Sequence, residues 1–146
     1  MSWKTLLADR RVAMEPATKQ ELEELREMLA SNLKDASVTG LSAQGRYEFA
    51  YNAARLMATI VVRASGYRVI SKSGHHYHTF QALLAADHKF AKSAANFDTA
   101  RSKRNDFSYD TPVSISETDA DDLLDAVLRF QQEGENWIHA KFPNLK

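Results

Sequence analysis

Residues 41–65, "LSAQGRYEFAYNAARLMATIVVRAS", constrain this chain more than any other stretch. They contain no proline, and their apolar residues fall on two sides of a helix. Tyr47, Ala50, Tyr51, Ala54, Ala58, Val61 and Val62 mark one side; Phe49, Leu56 and Ile60 mark another. A helix apolar on two sides needs covering on both, so the pattern predicts the central helix of a bundle. Gly66 is placed to take the left-handed conformation that ends helices. A narrow polar stripe of Glu48, Asn52, Arg55 and Thr59 also keeps helical spacing, and such groups need partners when buried. Glu48 and Arg55 are two turns apart, so side chains of other helices must satisfy them.

Four further helices are predicted around it. Thr18 caps the first and Glu21 completes a capping box, after which Leu22, Leu25, Leu29, Leu33 and Ala36 share a face that ends before Gly40. "GYRVISKSG" reads as a short extended connection rather than a sheet. A helix over about 76–87 turns Phe80, Leu83 and Leu84 inward, and another spans about 90–107. The last starts near Ser116, with Glu117, Asp119, Asp121 and Asp122 in or near its positive first turn, and continues through Leu123, Leu124, Val127, Leu128, Trp137 and Ile138. Gly134 either loosens that helix or allows close packing. Strand signals are thin, so the expected fold is all-α, an antiparallel four- to five-helix bundle. With five glycines, three prolines, no repeat and no linker, residues 1–146 read as a single domain.

Composition removes several classes of chemistry. The absence of cysteine excludes disulfides, thiolate metal sites and thiol nucleophiles. No apolar run approaches the roughly 18 residues of a membrane span, and "MSWKTLLADRRVAMEP" lacks the core of a signal peptide, so a cytoplasmic protein with no membrane partner is expected. Nineteen basic residues balance nineteen acidic ones, so any attraction for nucleic acid has to be local. "RSKRN" supplies such a basic patch and "SETDADDLLD" an acidic one.

The basic patch has a definite geometry. Phe90, Ala94, Phe97, Arg101, Arg104 and Ser108 follow steps of four and three, so one helix face turns from apolar to cationic. Arg104 should point toward packed surface, where a guanidinium requires a carboxylate, carbonyl oxygens or a phosphate. On a structural reading it pairs with Glu48, Asp106 or an acid of the last helix. On a functional reading it holds a phosphate, Arg101 and Lys103 broaden the attraction, and Asn105 and Tyr109 add hydrogen bonds.

The stretches "YEFAYNAARL", "ASGYR", "GHHYHTF" and "ARSKRNDFSYD" together resemble the HEPN superfamily, small helical bundles of prokaryotic toxin–antitoxin, phage-defence and nucleotidyltransferase-associated proteins. HEPN ribonucleases carry an arginine, often followed by asparagine or another polar residue, and a histidine four to six residues after the arginine. Arg104 and Asn105 match the opening of that motif, and Tyr109 stands where active members carry the histidine. The resemblance implies an RNA- or nucleotide-phosphate-binding protein, usually a homodimer, with metal-independent attack of a ribose 2′-hydroxyl on the adjacent phosphate as the associated reaction. Arg104 would stabilise the developing charge, Asn105 position the phosphate and Tyr109 assist proton transfer, with no cofactor and no metal. A tyrosine near 10 in pKa is a poor base at neutral pH, so the chain is either a ribonuclease or a noncatalytic dimerisation or docking partner of a minimal nucleotidyltransferase. In some family members a partner nucleotidyltransferase modifies a tyrosine two residues beyond the motif histidine, and that position is Thr111 here.

Other candidates are weaker. His75, His76 and His78 of "GHHYH" suggest an imidazole metal site, although these side chains should fan apart around a helix start. The acids of "DADD" read first as helix capping rather than as a Mg²⁺ site. Tyr47, Tyr51 and Tyr77 suit either core packing or stacking on bases.

Overall fold

The computed structural model describes residues 1–108 and 114–146. Its elements run α1 (Trp3–Ala8), β1 (Val12–Met14), α2 (Lys19–Ala36), α3 (Ala43–Ala64), β2 (Tyr67–Val69), α4 (His75–Ala86), α5 (Ala91–Ser108) and α6 (Glu117–Lys141). Single 3-10 turns at His88–Phe90 and Pro143–Leu145 precede α5 and follow α6. The fold is a helical bundle, and α3 is its centre: both apolar sides are buried, against α2, α6, α4 and α5. Only residues 37–42 join α2 to α3, so the chain reverses between these neighbours. Among the described residues, no helix is long and apolar enough to cross a membrane.

Local chemistry sets the helix ends. Ser116 and Asp119 form a reciprocal capping box at α6, as expected for acids in a first turn. Arg46 of α3 reaches two neighbours: it donates to the Ala36 carbonyl at 2.8 Å and pairs with Glu117 at 2.9 Å and Asp121 at 2.6 Å. Gly66 takes φ 92° just beyond α3. Gly134 allows close packing: a Cβ there would lie 2.5 Å from Met57 Cε and push that flexible side chain aside.

Three expectations need correction. The capping box at α2 is only half formed: Thr18 accepts from the Glu21 amide at 3.1 Å, but the Glu21 carboxylate turns to Arg63, a stronger, charged donor. The extended connection after α3 is a strand after all, because residues 12–14 supply an edge for it. Val12, Ala13 and Met14 pair antiparallel with Val69, Arg68 and Tyr67. Trp3 stacks on Tyr67 with ring centres 4.1 Å apart, and Leu6, Val12, Val62 and Ala82 form a small cluster beneath. On α6, Leu123, Val127, Trp137 and Ile138 are buried, whereas Leu128 is exposed, one step around the helix from Val127.

Candidate functional site

The polar stripe of α3 faces the meeting point of α4 and α5. Phe90, in the turn before α5, and Ala94 and Phe97 on α5 are buried, and Arg101 and Arg104 continue the same face half-buried. Arg104 finds Glu48 across the gap, Nε to Oε1 3.4 Å, yet its side chain keeps 27% exposure and that of Glu48 43%. The structural partner named from spacing is therefore present, in a pair still open to solvent.

Behind that pair lies Tyr51, fully buried, with the Arg104 guanidinium 5.7 Å from its ring centre. The Tyr51 hydroxyl is hydrogen-bonded to His76 Nδ1 at 3.0 Å, which brings the start of α4 onto α3. Burial pushes the Tyr51 hydroxyl up to about 12, against the opposing pull of Arg104, Arg55 and Arg101. His76 is pushed down to about 4, first by burial and then by Arg55, Arg104, His75 and Arg101. Both groups are neutral at pH 7, although the surroundings are strongly cationic.

Arg55 is the least satisfied group. Burial holds its pKa down and the Arg104 charge lowers it further. Among the described residues it has no carboxylate partner, and its Nε, like that of Arg104, is buried without a hydrogen bond. A buried donor left without a hydrogen bond costs roughly 1–3 kcal/mol, more when charged; Arg104 offsets part of that through its open 3.4 Å pair with Glu48, whereas Arg55 has a neighbouring cation and no acid among the described residues.

In front of His76 a groove of about 300 Å³ is lined by Lys72, Gly74, His75, His76, Tyr77, Arg101 and Asn105. Arg101 pairs with Asp98 at 2.7 Å and lies over the Tyr77 ring, 5.5 Å from its centre. Lys103 does not join this group. It faces the other flank of α5, 3.6 Å from Asp119 and over the ring of Tyr47. Tyr109 and Thr111 lie outside the described residues.

The three histidines fan apart. His75 donates through Nδ1 to the Ser71 carbonyl at 3.1 Å, His78 bonds the Ser71 hydroxyl, and His76 alone turns inward to Tyr51. Among the described residues no group of three or more His, Asp or Glu side chains converges as metal ligands would. Arg101 and Asn105 thus share the groove wall, while Arg104 turns toward Glu48 and Tyr51, and Arg55 and His76 lie in the same cationic surroundings. Arg55 was visible in the sequence only as part of the polar stripe, and nothing in the spacing tied it to Arg104. No family model matches the chain, and neither a curated protein nor a solved structure matches it.

Proposed function

We propose that this chain is a HEPN-like protein of a toxin or defence module that binds the phosphates of RNA or a nucleotide between α3, α4 and α5. The observation that carries the reading is the Arg55–Arg104 pair: both charges act on His76 of the groove wall, Arg55 has no carboxylate partner among the described residues, and Arg104 has only the open 3.4 Å pair with Glu48. A phosphate oxygen accepts from a guanidinium fork as a carboxylate does, and its charge would relieve the repulsion between the two. Asn105 and Arg101 on the groove wall add hydrogen bonds and charge. On bound RNA the arrangement suits metal-independent attack of a 2′-hydroxyl on the adjacent phosphate, forming a 2′,3′-cyclic phosphate as the bond to the next nucleotide's 5′-oxygen breaks and the 2′-hydroxyl proton passes through water to that leaving oxygen, with Arg55 and Arg104 taking up the growing negative charge.

One observation favours a second reading, the noncatalytic dimerisation or docking partner of a nucleotidyltransferase: Glu48 already meets Arg104 at 3.4 Å. Binding of a labelled oligoribonucleotide to the Arg104→Ala variant, with folding checked by circular dichroism, separates the two. On the phosphate reading affinity falls about 10-fold or more for every sequence and the salt slope drops by about one. Unchanged affinity in a folded variant ends that reading, and loss of the fold supports the second one.

A further inference from the structure

Of the tyrosines weighed as stacking surfaces, Tyr77 lines the groove, Tyr51 lies behind His76 and Tyr47 sits on the other flank of α5, and burial separates them. Tyr47 is 6% exposed and Tyr51 0%, whereas Tyr77 is 36% exposed. A large aromatic ring left in water beside the Arg101 guanidinium is the combination that grips single strands, in which cations hold the backbone and aromatic faces hold the bases. Two further features support it. Arg101, tethered to Asp98, extends the Tyr77 ring into a layered aromatic–guanidinium platform. The Asn105 side-chain amide, on the wall of the same groove, has no hydrogen-bond partner among the described residues and offers a donor and an acceptor to a base edge.

We infer that Tyr77 and Arg101 form a stacking site for an unpaired nucleobase whose phosphate rests on Arg55 and Arg104, which makes the ligand a single strand rather than a duplex or a bare phosphate. The inference rests on the phosphate reading above and specifies its ligand. A duplex hides the base faces this platform needs, and inorganic phosphate leaves it unused. Only the sugar is left open, because stacking and phosphate binding serve RNA and DNA alike.

The test measures four probes on the full chain: single-stranded RNA of about eight nucleotides, the same sequence as DNA, its duplex, and inorganic pyrophosphate. Single strands should bind at least about 10-fold more tightly than the duplex, and Tyr77→Ala should weaken them about 5- to 100-fold while leaving pyrophosphate unchanged. Tyr77→Phe, which keeps the ring and loses only the hydroxyl, should retain affinity. Tyr77 is a surface side chain, so these variants should fold. A preference for RNA over DNA assigns a contact to the 2′-hydroxyl; equal binding leaves the stacking site in place. Equal affinity for duplex and single strand, or a Tyr77→Ala variant that binds single strands as wild type does, overturns the inference while Arg104→Ala still reports on phosphate binding. If Arg104→Ala has no effect either, the phosphate reading fails with it.

Discussion

Arg63 and Arg55 sit about two turns apart on the same helix and have opposite surroundings. The Arg63 guanidinium, 2% exposed, grips the Glu21 carboxylate at 2.6 and 2.9 Å, accepts Glu15 as a second ionic partner at 3.2 Å, and donates to the carbonyls of Glu15, Tyr67 and Pro16. It fastens the β1–α2 connection and the start of β2 to the central helix. Arg55 has a neighbouring cation instead of an acid, and a buried Nε without a partner. Arg63 is buried and Arg55 half-buried, and the state of their donors separates them further. One is consumed by the fold, and on the proposed reading the other is left for an anion.

The largest expected effect is at the consumed arginine. Arg63→Ala strands the Glu21 carboxylate and several carbonyls, and should destabilise the chain by about 3–5 kcal/mol in urea unfolding. A loss under about 1 kcal/mol would mean that water replaces these bonds, and the contrast with Arg55 would collapse.

His76 gives the next effect, and its sign follows from its surroundings. Its folded value near 4 lies below the ordinary 6.5, because burial and the charges of Arg55, Arg104, His75 and Arg101 oppose protonation. The unfolded chain therefore binds the extra proton first. This contribution to stability is complete above about pH 6.5 and fades as pH falls toward 4. The loss should reach about 2 kcal/mol at pH 4, allowing for screening of the part of the ring that faces the groove. Glu21, held low by Arg63, loses stability in the same direction below its ordinary 4.5, so the measurement is the difference between wild type and His76→Asn. Identical acid profiles for the two would remove His76 from the cationic cluster.

The bundle was legible in the sequence because burial in helices writes a period. Leu22, Leu29, Phe80, Phe97 and Val127 all fall where spacing put them. The β1–β2 pair was not legible: three-residue strands carry too little alternation, and their pairing joins segments more than fifty residues apart. For the site, Arg101, Arg104 and Asn105 were readable because they share one helix. Arg55 and His76 were not, since their roles come from α3 and α4 meeting α5. Lys103 shows the converse limit, because sequence adjacency to Arg104 turned it about 100° around the helix, toward Asp119.

Replacing the waiting arginine should separate stability from binding. Arg55→Met removes a half-buried charge that has no carboxylate partner among the described residues and keeps the packing of the side-chain stem. Stability should therefore stay level or rise by about 1 kcal/mol, while affinity for a single-stranded oligoribonucleotide falls about 10-fold. A variant that loses stability and keeps affinity would place Arg55 in the same class as Arg63.

The smallest effect probes the competitor. Glu48 pairs with Arg104 at 3.4 Å and keeps 43% of its side chain in solvent, so the pair belongs to the weak, exposed class of about 0.2–1 kcal/mol. Removing that charge with Glu48→Gln should lower stability by no more than this amount and raise oligonucleotide affinity about two- to five-fold, most clearly at low salt. The direction discriminates. If Glu48 and Arg104 form a finished structural pair, as Glu21 and Arg63 do, Glu48→Gln destabilises the chain and leaves binding unchanged. If Glu48 only shields Arg104 until an anion arrives, the variant binds more tightly than wild type, an outcome a purely structural pairing does not produce.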